Sequence, residues 1–366
     1  MVRHITAETL RIWLTENRPV TVIDVRSDED RRQWAIPGSI HINAYEDLQA
    51  GRRSALSAAK LPADRPIVTV CNFGGMSEKA AEELSRRGLE VFSLAGGMKA
   101  WSLAWNTAEL RLGQAVITQV RRAGKGCLSY LISCEGEAVV IDASLSPDVY
   151  RSIAERLAVR IRSVLDTHIH ADHLSRSKQL AEAAGAELLL PAQERVKFPF
   201  RPLKPGDVLQ VGSLKIEAIP TPGHTLESMC FLVQAGALLT GDTLFTNSVG
   251  RPDLHAQVEP AQLRAALLYR SLNQLFALGS NLFVLPGHTS SPPAFDGVPI
   301  GDRLGVVAAH LRDWLRSEPA FVERVLSRIP PAPPNFHRIV ELNESGELPP
   351  EDATELEAGA NRCAVG

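Results

Sequence analysis

At 366 residues, with 45% hydrophobic and 22% charged residues, the chain has the composition of a globular protein of two domains. A formal net charge of -3 and the lack of any long basic run argue against nucleic acid or an anionic membrane surface as a partner. The start, Met1 to Thr6, has no apolar segment of the secretory type, and no apolar run is long enough to span a bilayer, so the expected location is the cytoplasm.

Helical spacing of Leu10, Trp13 and Leu14 follows a Thr6 cap. Val20 to Val25 is a β-branched strand ending at Asp24 and Arg26, and Ile36-Pro37-Gly38-Ser39-Ile40 turns into a second extended piece. Pro66 to Val70 reads as a buried strand that runs into Cys71. Glu78 to Arg87 is helical and stops at Gly88. Val91 to Leu94 is a further strand, and Ala95-Gly96-Gly97 leads into a helix at Met98. Strands alternating with helices make this third of the chain a small parallel α/β unit.

Five cysteines, Cys71, Cys127, Cys134, Cys230 and Cys363, are an odd number, widely spread and without a Cys-x-x-Cys pair, which argues against a disulfide framework or a structural zinc site. Cys127, Cys134 and Cys230 fall in strand-like segments and are expected in the core; for Cys363, near the end of the sequence, the exposure stays open. Cys71 differs. It stands where a strand passes into a helix, so that loop amides and the helix dipole favour a sulfur anion.

Asp24-Val25-Arg26, Ile36 to Ile40, the Cys71 loop and Ala95-Gly96-Gly97-Met98-Lys99-Ala100-Trp101 together resemble a single rhodanese domain over residues 1–107. The resemblance implies a parallel sheet with flanking helices and a Cys71 persulfide cradled by Asn72, Phe73, Gly74, Gly75, Met76 and Ser77. The loop lacks arginine and lysine, which weakens the implied grip on an anionic donor such as thiosulfate. Ser77 stands where an arginine would close a phosphatase loop, and that reading is set aside.

Beyond a linker at 108–112, strands at 115–120, 129–132 and 138–141 form an antiparallel meander ending in Asp142. A helix at 149–157 and a strand at 161–165 lead to Thr167-His168-Ile169-His170-Ala171-Asp172-His173. A helix at 174–184 and strands at 187–190, 208–211, 214–219, 229–233 and 237–240 follow. His224, Asp242 and His288 each come just after an apolar run. Imidazoles and carboxylates gathered at several strand ends point to a metal centre.

These seven residues resemble, in order, the motifs of the metallo-β-lactamase superfamily, with similarity over about residues 113–300; the domain would occupy 113–366 with a C-terminal extension. The resemblance implies an αββα sandwich with metal at one rim. In its two-metal hydrolases all seven residues are ligands and two zinc ions are held. In its persulfide dioxygenases (ethylmalonic encephalopathy protein-like) His168, His224 and Asp242 hold one Fe(II) per chain, leaving His170, Asp172, His173 and His288 as an outer shell. Gly250-Arg251-Pro252-Asp253-Leu254, Pro333 to Phe336 and Ala360 to Cys363 are similar to the dioxygenase group, and Thr289-Ser290-Ser291 replaces the acidic-aromatic pair expected of the glyoxalase II hydrolases. Arg251 is either a fork for a substrate carboxylate or a pin for Asp253.

The implied activity is oxidation of a low-molecular-weight persulfide, glutathione persulfide, by O₂ to thiol and sulfite, with sulfite or thiosulfate as the partner of Cys71. The alternatives are a two-metal thioester hydrolase of the glyoxalase II type and a non-enzymatic sulfur carrier or sensor. The oligomeric state stays open, a homo-oligomer included.

Overall fold

The computed structural model describes residues 2–254, 260–349, 353–357 and 362–365. Its first unit is a five-stranded, all-parallel sheet in the order Arg3–Ile5, Val91–Leu94, Ile67–Val70, Thr21–Asp24, Ile40–His41. Thr21–Asp24 and Ile67–Val70 are buried at every position, as strands covered on both faces must be. Their side chains alternate between two cores: Ile23 and Ile67 pack with Ala80 and Leu84, whereas Val22 and Val68 pack with Leu10 and Trp101. Ser27 caps the helix Asp28–Gln33 by accepting the Asp30 amide, which satisfies one of the helix's unpaired N–H groups.

The second unit stacks two sheets. One runs Arg201–Leu203, Glu187–Pro191, Arg160–Leu165, Glu137–Ile141, Leu128–Cys134, Ala115–Arg121, Asn106–Leu112; the other runs Val208–Val211, Leu214–Pro220, Met229–Val233, Ala237–Gly241, Phe283–Pro286, Asp302–Arg303. Period-two alternation decides the layering. Tyr130, Ile132, Ile216, Leu239 and Leu285 fill the space between the sheets. Leu131 instead packs outward on the helices Pro147–Arg156 and Ser177–Ala184, and Leu238 and Val284 pack outward on Ala261–Phe276 and Leu304–Leu311. The result is an αββα sandwich.

Residues 108–112, expected as a linker, belong to the edge strand Asn106–Leu112, paired along its length with Ala115–Arg121. The units therefore meet without a free connector. The Trp34 indole N–H donates to the Ala123 carbonyl at 2.9 Å, and Arg122 Nε donates to Ser102 O at 2.8 Å. The C-terminal extension also reaches the first unit, through Lys99 and Glu355 at 2.6 Å. It ends in Ala364–Val365, which pairs antiparallel with Val249–Gly250. Among the described residues no helix is long and apolar enough to cross a membrane.

Candidate metal centre

The strands Glu137–Ile141, Arg160–Leu165, Leu214–Pro220, Ala237–Gly241 and Phe283–Pro286 end at one rim, and there the chain delivers Asp142, the 168–173 cluster, His224, Asp242 and His288. All are buried. The rim is tightly built: Asp142 has φ +57°, a strained conformation for a non-glycine residue, and a Cβ on Gly287 would lie 2.7 Å from Asp242 Oδ1.

His168, His224 and Asp242 form one group, with one donor atom from each within 4.8 Å of the others. The outer nitrogens of both rings are already engaged. His168 Nδ1 lies 2.9 Å from Thr167 Oγ1, whose hydroxyl donates to Asp142 at 3.0 Å; His224 Nδ1 donates to the Arg251 carbonyl at 2.8 Å. This fixes the tautomer with the proton on Nδ1 and leaves the Nε2 lone pair inward. Burial, with His170 and His224 nearby, holds the His168 imidazole well below its ordinary pKa, and burial likewise lowers His224. Both rings are neutral donors. His168 Nε2 and Asp242 Oδ2 are buried without a hydrogen-bond partner. Two neutral imidazoles and a carboxylate oxygen, all pointed at one place, fit a divalent transition metal.

The remaining four motif residues divide. His170 sets Nε2 3.2 Å from Asp142 Oδ1 and groups with Asp142 and Asp166, while its Nδ1 is buried without a hydrogen-bond partner, its ring centroid 4.3 Å from that of His168. His288 is clamped between carboxylates, Nδ1 2.6 Å from Asp242 Oδ1 and Nε2 2.8 Å from Asp172 Oδ2. Burial opposes its charge, but Asp172 and Asp242 outweigh that and raise it well above the usual imidazole range. Asp172 is also 3.0 Å from His173 Nδ1. Asp172, His173 and His288 form a second group whose fourth member is Cys127.

Neither Cys127 nor Cys363 stood out in the sequence. Burial would raise the Cys127 thiol, yet His173 and His288 bring it down to about 6. Cys363, whose exposure the sequence leaves open, is 1% exposed and groups with Asp242 and His288. The pairing of Ala364–Val365 with Val249–Gly250 brings it there, a contact between segments too far apart in sequence to leave a signal. Ala360 and Asn361 lie outside the described residues. Cys134 and Cys230 are buried, as expected. Arg251 is buried, and its five N–H groups go to Asp253, Pro330 O, Pro331 O and Arg362 O. None is left for a substrate carboxylate, so its geometry matches the pinning role.

In the first unit Cys71 follows Ile67–Val70 and is 2% exposed. Its sulfur accepts the Gly74 amide at 3.1 Å and lies 3.5 Å from Ser77 Oγ. Gly74, at φ +107°, permits the curl into the helix Gly75–Ser85. Asn72 turns outward, bound by Asp30 and Arg26, and Phe73 is 76% exposed.

Residues 6–104 match the rhodanese-like domain family, and residues 122–288 match the metallo-beta-lactamase superfamily. Hydroxyacylglutathione hydrolase of Anaeromyxobacter dehalogenans is 34% identical over 174 residues, 47% of this chain and 65% of that protein. The hydroxyacylglutathione hydrolase of Rhodospirillum rubrum is 32% identical over 169 residues, 45% and 62% of the two chains. The chain thus spans less than two thirds of these relatives. Among solved structures, a metallo-beta-lactamase from Staphylococcus aureus aligns with TM-score 0.59 at 25% identity, over 64% of this chain and 75% of that one. ETHE1 from Myxococcus xanthus aligns with TM-score 0.55 at 26% identity, over 63% and 98%. The chain consists of a rhodanese-like domain followed by a domain of the metallo-beta-lactamase superfamily.

Proposed function

We propose that the protein is a persulfide dioxygenase with a sulfur-transferring cysteine, converting glutathione persulfide, O₂ and water to glutathione and sulfite. The observation that carries this reading is the convergence of His168, His224 and Asp242, two imidazoles and a carboxylate, as a group of their own. Similarity to ETHE1 from Myxococcus xanthus, which this chain covers over 98% of its length, supports it, as does a neighbouring domain suited to carry sulfane sulfur. His168, His224 and Asp242 would hold iron(II), which would supply the one-electron chemistry that O₂ requires.

The chain's own residues do the positioning. Thr167 and Asp142 orient His168, the Arg251 carbonyl orients His224, and His288 holds one oxygen of Asp242 so that the other is offered singly. Beside Thr225 and Leu226, directly after His224, a cleft of about 690 Å³ opens. Its size suits a tripeptide thiol. Arg195, paired with Glu344 at 2.6 Å, lies in its wall and is suited to a ligand carboxylate.

A second reading is a two-metal thioester hydrolase, favoured by the hydroxyacylglutathione hydrolase relatives and by the group Asp172, His173, His288 and Cys127. Metal analysis with oxygen-electrode assays on the full chain separates the two. One iron per chain and O₂ uptake that tracks sulfite formation are expected; two zinc ions with oxygen-independent cleavage of S-lactoylglutathione would overturn the dioxygenase.

A further inference from the structure

The loop that carries the 168–173 cluster lies between the strand Arg160–Leu165 and the helix Ser177–Ala184, and Ala171, Asp172, His173 and Leu174 are all buried. Water does not reach the backbone there, so its N–H and C=O groups need partners within the protein. Side chains supply them. Asn343 Nδ2 donates to the His170 and His173 carbonyls at 2.8 and 2.9 Å, and Asn343 Oδ1 accepts the Ser175 amide at 2.9 Å. An amide side chain offers two N–H donors and one carbonyl, and Asn343 gives all of them to this loop. Glu357 adds a second grip, with Oε1 accepting the Leu174 amide at 2.7 Å and Oε2 held by Arg122 at 2.6 Å. Both residues come after the span 122–288 that matches the superfamily, Asn343 from the helix Phe336–Ser345 and Glu357 from the end of the helix Ala353–Leu356.

We infer that Asn343 is a positioning residue for the metal centre: it fixes the two carbonyls that flank Asp172, and so the carboxylate that orients His288 against Asp242. The inference rests on the reading that His168, His224 and Asp242 hold a metal. The line of contacts is short. Asp172 Oδ2 meets His288 Nε2 at 2.8 Å, and His288 Nδ1 meets Asp242 Oδ1 at 2.6 Å. A shift of the loop backbone moves Asp172 and releases His288, and Asp242 is then free to turn. Partners behind a metal ligand set its direction in this way.

Adhesion of the helix to the loop has a separate source. Leu342 and Ile339 pack with Leu174, and Val340 packs with Ala171 and Leu254. These apolar contacts are not directional. They dock the helix but leave the loop's polar backbone unmatched, and Asn343 supplies the match. The extension is thereby part of the metal centre, although no ligand of the group His168, His224 and Asp242 lies within it.

The test uses the full-length protein. Asn343→Leu keeps the shape of the side chain and removes all three bonds; Asn343→Asp keeps the oxygen that meets Ser175 and sets the other against two carbonyls. Iron(II) affinity, measured by chelator competition, is expected to fall about tenfold in both. The visible spectrum of the cobalt(II)-substituted protein, which reports ligand geometry, should change with it. In metal-free protein, hydrogen exchange at the Ser175 amide should quicken about tenfold in Asn343→Leu. Ser345→Ala is the control. Its hydroxyl bonds Leu342 O and the Glu347 amide at the same helix end, so the substitution should lower thermal stability and leave affinity, spectrum and Ser175 exchange as in the parent. Parent-like affinity and spectrum in either Asn343 variant would overturn the inference, and so would losses matched by Ser345→Ala, which would mark general loosening of the helix. Should Asn343→Leu fail to fold, Asn343→Asp decides. If the parent binds neither iron(II) nor cobalt(II), the metal reading falls and exchange decides alone: unchanged protection of Ser175 in Asn343→Leu overturns the positioning role.

Discussion

Thr167 is the residue on which the orientation of His168 depends. Its amide and hydroxyl both go to Asp142, and its oxygen meets His168 Nδ1. Partners of this kind, once removed, typically cost 10–100-fold in metal affinity. Thr167→Val, which preserves shape but removes the hydroxyl, should weaken metal binding by about that factor, measured by chelator competition. An unchanged affinity would mean that packing alone holds the ring. His170 gives the complementary comparison. His170→Gln should retain iron where His224→Gln loses it, read by elemental analysis; equal loss in both would show that His170 is a ligand and restore the two-metal reading.

At the scale of elements, the candidate sites of both domains lie at strand ends, and the first domain shows what holds one in place. Burial by itself would raise the carboxyl of Asp24, but Arg26, at 2.7 and 2.9 Å, and Arg31, at 3.2 Å, outweigh it and lower the pKa. A lowered folded-state pKa lends stability that is fully present above the unfolded value of about 3.9. That stability is lost as pH falls through the folded value. Asp24→Asn should therefore reduce stability near neutrality by about 3–5 kcal/mol, the usual cost of leaving a buried partner uncompensated, and flatten the acid limb of a urea-denaturation series. A variant with the parent's acid slope would show that other carboxylates govern it.

The same scale explains what was legible in the sequence. Thr21–Asp24 and Ile67–Val70 announce themselves as continuous β-branched runs because both faces are covered, and the candidate metal ligands announce themselves because they follow apolar runs. Asn106–Leu112 did not. Its outward Glu109 and Arg111 give it the polarity of a connector, and only pairing with Ala115–Arg121 makes it a strand. Cys127 sits beside His288 through a single bridge, and Cys363 reaches Asp242 through a strand of two residues. Contacts so short and so distant in sequence leave no periodicity to read. Arg251, legible as important, has its role decided by the backbone carbonyls it meets, and those lie outside any local pattern.

Across the whole molecule, one backbone position joins the domain seam to the metal rim. Gly126 has φ +98°, and a Cβ there would lie 2.6 Å from the Thr289 carbonyl and 2.9 Å from the Trp34 ring. The Thr289 amide donates to Gly126 O at 2.9 Å, and the Leu128 amide to Gly287 O at 2.8 Å, so the residues flanking His288 are tied to those flanking Cys127. A side chain at Gly126 would push on both. Gly126→Ala should destabilise the protein by about 1–3 kcal/mol through backbone strain and weaken metal binding in the same variant. Trp34→Ala removes the seam contact but leaves the rim backbone untouched, and should lower thermal stability without changing metal affinity. Scanning calorimetry and metal titration on the two full-length variants read these effects separately. Should Gly126→Ala bind metal as tightly as the parent, the seam and the rim are mechanically independent, and the shared position serves packing alone.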